Sequence, residues 1–402
     1  MPRPVFTASF TQQLPIPEAG IEAAVAVMRS GRLHRYNAAP GEETHTEALE
    51  REYAAWQGAR YCLAVASGGQ AMQIALRAAG VAPGDAVLTN AFTLAPVPGA
   101  IAAVGGRPVL VEITDDLVID LADLATKAAA SGARVLLLSN MRGHLCDMDR
   151  LMDIAAAHQL TVIEDCAHTM GATWQGRKSG NFGLAGCFST QTYKHMNSGE
   201  GGFLTSDDAA FMARAMMLSG SYMMYERHGA APDAAAFADI RYLTPNMSAR
   251  MDNLRAALLR PQLAGLADSI AAWNARHDRV AAGLSRVAGL RLATRPAAES
   301  YVGSSIQFTL PGIGLQAAQD FVARLARMGV EVKWFGAAEP TGFTSAHHSW
   351  RYMAAQTLPR SDAVLAGLFD MRLPLTFSLA DCDLIAEHIA DAVLDLRLEG
   401  AA

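Results

Sequence analysis

No stretch of this 402-residue chain approaches the ~18 consecutive apolar residues that a membrane-spanning helix needs, and Met1-Pro2-Arg3-Pro4-Val5-Phe6 opens without the apolar core of an export signal. Basic charge is also scarce. The 33 lysines and arginines stand against 39 acids, and a net charge of -6 supplies no field for nucleic acid. Cys62, Cys146, Cys166, Cys187 and Cys382 form no CxxC pair and no Cys/His ligand spacing, so no metal site is implied. An odd, scattered set reads as reduced thiols in a cytoplasmic protein. What remains is an ordinary globular composition, 51% hydrophobic and 18% charged, long enough for more than one domain.

Between residues 61 and about 208, short β-branched runs alternate with helical segments, which predicts a largely parallel α/β sheet. Strands are expected over 62–66, 86–89, 108–113, 135–139, 161–164, 186–189 and 202–205, with helices over 70–79, 96–104, 121–130 and 148–158. The irregular spacing of 219–243 reads as a loop or short helices. A long helix over about 252–287, interrupted by Pro261 and by glycines, then leads to a strand at 304–310, a helix at 315–328, a strand at 330–334 and a last helix at 379–396. The expected division is an N-terminal segment 1–60, a large cofactor-binding domain 61–250, a linking helix 251–289 and a small α+β domain 290–402.

Two motifs carry chemistry. Lys194 lies between Phe188-Ser189 and the glycine turn Gly199-Glu200-Gly201-Gly202, so its amine sits on a loop where a Schiff-base lysine belongs. About 30 residues upstream, an apolar strand ends in Glu164-Asp165, with His168 three residues on. A lysine that binds an aldehyde cofactor and shuttles a substrate proton, plus a carboxylate against a ring nitrogen, is what amine transfer through pyridoxal phosphate requires. Singly, Asp165 would read as a helix cap and Lys194 as a surface lysine; together they name the cofactor. Ser67-Gly68-Gly69-Gln70 joins a strand to a helix, where small residues let backbone amides approach an anion, although a glycine pair there also suits a simple tight turn.

Over nearly its whole length the chain resembles the DegT/DnrJ/StrS family of pyridoxal-phosphate aminotransferases. The resemblance rests on Ser67 to Leu76, Pro83-Gly84-Asp85, Gly105 to Val109, Glu164-Asp165 with His168, Phe188-Ser189, Lys194, Gly199 to Gly202 and Arg250-Met251. It implies the aspartate-aminotransferase-like fold (fold type I), with a mostly parallel seven-stranded large-domain sheet and a smaller α+β C-terminal domain. It further implies a homodimer with shared active sites, and transfer of an amino group from glutamate or glutamine to a carbonyl of a sugar or other polyhydroxylated or anionic small molecule.

By the same resemblance, Lys194 and Asp165 are catalytic and His168 contacts the ring-side oxygen. Gly68, Gly69 and Gln70 offer backbone amides to the phosphate, and Ser189 offers a hydroxyl. The family's ring-stacking aromatic falls at Leu94, leaving Phe92 or an aliphatic surface as the replacement. Its partner-reaching asparagine falls at Ser248, with Asn246 as a substitute, and its histidine after the fourth core strand falls at Asn140, followed by Arg142. Arg142 is expected either on the surface or against a substrate anion. Lys333 and Trp334 are the further substrate candidates, in an aromatic loop that suits a carbohydrate platform or domain packing equally. Because Leu94, Asn140 and Arg142 differ from the family pattern, decarboxylation, elimination or aldol cleavage of an amino acid stays an alternative reaction, and a non-catalytic cofactor-binding regulator stays another.

Overall fold

Short apolar strands, most of them connected by helices, build one central sheet. The computed structural model describes residues 3–39 and 41–400. Met1, Pro2, Pro40, Ala401 and Ala402, which belong to the expected 1–60 and 290–402 segments, lie outside the described residues. The sheet has seven strands in the order Tyr61–Val65, Gly202–Ser206, Ala185–Ser189, Thr161–Asp165, Val135–Ser139, Ala86–Asn90, Arg107–Val111. Gly202–Ser206 pairs antiparallel with both neighbours, and the remaining pairings are parallel.

That single reversal follows from connection length. Parallel neighbours need a crossover, whereas antiparallel ones can be joined directly. Residues 190–201 therefore link Ala185–Ser189 to Gly202–Ser206 as a loop without a helix, and Lys194 lies on it.

Successive side chains of a strand face opposite sides, so Leu136 and Leu138 enter one apolar core while Val135 and Leu137 enter the other. Burial on both faces is why the central strands read as continuous apolar runs. The crossovers leave the ends of Thr161–Asp165, Val135–Ser139 and Ala86–Asn90 at one edge, where open α/β sheets bind ligands.

A second, antiparallel sheet of four strands, in the order Arg291–Leu292, Ser305–Thr309, Leu368–Arg372, Lys333–Trp334, packs with helices Leu315–Arg327 and Leu379–Gly400 around a core containing Phe308, Phe321 and Phe369. Several details differ from expectation, while the 219–243 region is the short helices expected. Only Lys333–Trp334 of the 330–334 run forms a strand, and Leu368–Arg372 is a strand the sequence pattern did not announce. The expected linking helix is two helices, Asn253–Ala264 and Leu266–Leu284, parted at Gly265 rather than at Pro261, which stays inside the first. The 219–243 region consists of short helical turns ending in Ile240–Leu243.

Candidate active site

At the carboxyl edge of the central sheet, a cavity of about 350 Å³ is lined by Gly68, Gly69, Leu94, Arg142, Asp165, His168, Ser189 and Lys194. Sequence-distant motifs thus meet in one place. The Lys194 loop is braced by Thr190 N–H to Gly201 O at 2.9 Å and Ser198 N–H to Thr190 O at 2.9 Å. Gln262 clamps it from outside, accepting from Asn197 N–H at 2.7 Å and donating to Asn197 O at 2.8 Å. Lys194 Nζ lies 3.0 Å from His168 Nε2. Burial, and after it the positive charge of Arg142, brings the amine down to about 7, while burial holds the His168 imidazole well below its ordinary value. A neutral imidazole can then accept from the lysine.

Asp165 ends its strand 6% exposed. One oxygen accepts from Ala167 N–H at 3.2 Å, and the other accepts from the Ser139 hydroxyl at 3.0 Å. Ser139 in turn accepts from Thr93 Oγ1 at 2.7 Å, so a chain of two hydroxyls fixes the carboxylate. Burial pushes the Asp165 pKa up, and Lys194 is the first of the groups opposing that rise. Glu164 has a different task. It is fully buried and accepts from the amides of Gly180, Phe182 and Gly183, tying the following loop to the strand.

Ser67 caps helix Gly68–Ala78, accepting from Gln70 N–H at 3.1 Å. The Gln70 amide, expected at the phosphate, is engaged by this cap, and the Gln70 side chain does not line the cavity. The amides of Gly68 and Gly69, in the first turn, have no partner inside the helix. Glycine at 68 is enforced by space, since a Cβ there would lie 2.8 Å from Ser189 Cβ.

These residues fit pyridoxal phosphate on three observations. The Gly68 and Gly69 amides and the Ser189 hydroxyl converge at a helix N-terminus, which suits a phosphate. A buried carboxylate with a raised pKa lacks a full cationic partner, which suits a protonated ring nitrogen. A lysine near pKa 7 is a competent nucleophile toward an aldehyde. The apolar part of the cavity wall includes Leu94, Met72 and Val97, together with the rings of Tyr193, Trp273 and Phe343. Phe92 is not the replacement stacker, because it is 1% exposed and packs edge-on against Phe335 at 5.3 Å.

Other expected contacts fall elsewhere. Asn140 is buried, donates to Ser179 Oγ at 3.2 Å and does not line the cavity. Trp334 donates to Ala366 O at 2.8 Å and stacks on Phe369, inside the small-sheet core. Trp350 is likewise buried, with Leu110 and Leu358, so the aromatic loop serves mainly to pack. Its Phe343 alone, 48% exposed, reaches the cavity. Asn246 and Ser248 are exposed and bonded to each other, Ser248 N–H to Asn246 Oδ1 at 2.8 Å, and neither lines this chain's own cavity.

Arg142 is not a surface charge. It is 6% exposed, on the cavity wall, with φ 55° in the left-handed region. Sequence reading missed Gln13, Tyr193, Trp273, Phe343 and Arg372, all lining residues. Tyr193 was within reach as the lysine's neighbour; Arg372 was not, for want of its strand.

The profile of the DegT/DnrJ/EryC1/StrS aminotransferase family matches residues 16–392. L-Glutamine:scyllo-inosose aminotransferase of Streptomyces griseus is 31% identical over 74% of this chain and 67% of its own length. dTDP-3-amino-3,4,6-trideoxy-alpha-D-glucose transaminase of Streptomyces venezuelae is 34% identical over 68% of the chain and 66% of its own. Relatives from Streptoalloteichus tenebrarius and Micromonospora echinospora are 37% and 40% identical, and the chain spans 51% and 42% of their lengths. Among solved structures, 3-amino-5-hydroxybenzoic acid synthase superposes with a TM-score of 0.82 at 25% identity, covering 98% of this chain and 99% of that one.

Proposed function

The chain belongs to the DegT/DnrJ/EryC1/StrS aminotransferase family, and from that premise we propose that it moves an amino group from glutamate or glutamine to a carbonyl of a sugar or similar polyhydroxylated or anionic small molecule. The observation that carries the reading is Lys194, held near pKa 7 between His168 and the buried carboxylate of Asp165. The inosose and deoxysugar transaminases among its relatives support the sugar-like acceptor and, by name, a glutamine donor.

Pyridoxal phosphate, when bound, supplies an aldehyde that takes up an amino group and a ring that draws electrons from the substrate carbon. The protein's part is to hold and to move protons. Asp165, fixed by Ala167 N–H and the Ser139–Thr93 hydroxyl chain, would face the ring nitrogen and favour its protonated form. The Gly68 and Gly69 amides and the Ser189 hydroxyl would hold the phosphate, at the N-terminus of helix Gly68–Ala78. Lys194 Nζ takes the proton from the substrate carbon and returns it, a task for which an amine near neutral pKa is matched. His168, neutral, accepts from that amine and holds it in place.

A homodimer with composite sites follows from the same reading. Asn246 and Ser248 are exposed and away from their own chain's cavity, as residues serving a neighbour's cavity would be. The chain's five cysteines are buried and unpaired, which suits the cytoplasm. The function is tested by adding glutamate or glutamine to holoenzyme without an acceptor. Transamination leaves the cofactor in its amine form with one equivalent of 2-oxo acid. Release of carbon dioxide, ammonia or an aldehyde instead would contradict the reading.

A further inference from the structure

Above Lys194 the cavity wall carries more positive charge than the fold neutralises. Arg142 reaches it from the turn after strand Val135–Ser139, and Arg372 from the end of strand Leu368–Arg372. Lys333 does not line the cavity but stands behind Phe343, its Nζ 5.6 Å from the centre of that ring. The fully buried Asp370 is the carboxylate of this group, its Oδ2 2.7 Å from Arg142 Nη2. Asp370 is paired with Arg142 alone, and among the described residues Arg372 has no carboxylate ion-paired to it.

The hydrogen bonding is incomplete as well. Asp370 Oδ1 accepts from Gln307 Nε2 at 2.8 Å, and Gln307 Oε1 meets His144 Nε2 at 2.8 Å. Yet the Arg142–Asp370 approach is close without being aligned. Arg142 Nε and Lys333 Nζ are buried with no hydrogen-bond partner, and Arg142 Nη2 and Asp370 Oδ2 have only their ion pair with each other. Buried donors of this kind are costly to leave unmade. The Arg142 backbone is also held in a left-handed conformation that non-glycine residues avoid. Arg372 lies flat on Tyr193, 3.7 Å from the ring centre and 5.0 Å from that of Phe343. Tyr193 also bonds the Arg372 guanidinium, and a guanidinium's five donors outnumber what one phenol can take, so donors remain for a planar acceptor.

We propose that Arg142 and Arg372, with Lys333 adding its charge behind Phe343, form a carboxylate subsite for a substrate whose amine or carbonyl meets Lys194. Asp370 is a positioning residue that holds Arg142 toward the cavity through the Gln307–His144 chain. The chemistry required is a compact planar anion, borne by the amino-acid donor, by an acidic carbonyl acceptor, or by both in turn. That both partners are substrates of one transamination rests on the function proposed above. The anion subsite itself does not.

The probe is glutarate, which has the carboxylates of glutamate and no amine. Calorimetric titration of holoenzyme should show glutarate binding that weakens about 10- to 100-fold in Arg142→Met and Arg372→Met, the loss of charge-assisted bonds. Arg142→Lys and Arg372→Lys should recover part of it. Asp370→Asn should weaken it less. Cofactor content, measured alongside, reports whether each variant is folded and loaded. The donor arm compares the half-reactions of glutamate and glutamine. The acceptor arm reacts the amine form with 2-ketogluconate and with the neutral fructose. A loss of kcat/KM in the arginine variants confined to carboxylated partners, in either arm, supports the subsite and names its source. Glutarate binding equal in wild type and loaded variants overturns it, as does equal loss for charged and neutral partners. Charge-dependent glutarate binding without any half-reaction would sustain the subsite while removing the aminotransferase reading.

Discussion

Gly68→Ala is the perturbation whose cost can be worked most directly from packing. The new methyl would stand 2.8 Å from Ser189 Cβ and 3.2 Å from Ser189 Cα, a separation that real Cβ atoms do not sustain. Both partners are fixed, one in a helix N-terminus and the other in a central strand, so relief requires backbone movement. Overpacking of that kind costs ~1–3 kcal/mol, against which alanine regains at most about 1 kcal/mol of helix propensity. Gly69 is the internal control. A Cβ there meets nothing closer than Ser67 Oγ at 3.7 Å, so Gly69→Ala keeps the propensity gain and loses nothing to crowding. Denaturant unfolding of the cofactor-free proteins should therefore place Gly68→Ala on the order of 2 kcal/mol below Gly69→Ala. Cofactor affinity, read by equilibrium dialysis, should fall in Gly68→Ala because Ser189 is displaced. Removing the opposing methylene in Gly68→Ala/Ser189→Gly should return part of the stability. Equal stability of the two alanine variants would refute the argument that close approach selects glycine at 68.

Four further outcomes are expected. The Lys194 amine, brought by burial and then by Arg142 to about 7, is protonated below that value and free above it. Its acylation in cofactor-free protein, followed by peptide mass spectrometry, should rise through pH 7, and Arg142→Met should move that midpoint upward. The sign for stability is fixed too: burying the charged amine is a penalty present in full below about pH 7 that fades toward the ordinary lysine value, so Lys194→Met should gain stability in acid and lose that gain in base. Asp165→Asn should retain cofactor but lose at least about 100-fold in the glutamate half-reaction, whereas Ser139→Ala, which removes one hydrogen bond to the carboxylate, should cost about 10-fold; equal effects would mean that the hydroxyl chain is not merely positional. Mixing Lys194→Ala with Asn246→Ala/Ser248→Ala should restore part of the activity in hybrid dimers, and no recovery despite demonstrated subunit exchange would remove those residues from a shared site.

How much was legible in the sequence depended on whether the chemistry was local. The strand ends at Val65 and Asp165 could be read to within a residue, and that at Ser189 directly, because an apolar run, a turn residue and a functional group are adjacent in the chain, and the cavity assembles from such ends. The strand Leu368–Arg372 escaped because Asp370 and Arg372 interrupt a five-residue apolar pattern, and those charges are tolerated only through contacts with Gln307, Arg142 and Tyr193 from distant elements. Trp334 and Trp350 misled for the converse reason. Aromatic density marks contact without saying with what, and here the contact is the protein's own core. Arg142 was open between surface and substrate in the sequence, and only tertiary burial excludes the surface.

The central claim is that Lys194 carries the cofactor. Borohydride reduction of the purified holoenzyme, followed by proteolysis and mass spectrometry, should place the mass of reduced pyridoxal phosphate on the peptide containing Lys194, and Lys194→Ala should carry none. A label on another lysine, or a protein that takes up no cofactor, would contradict the account.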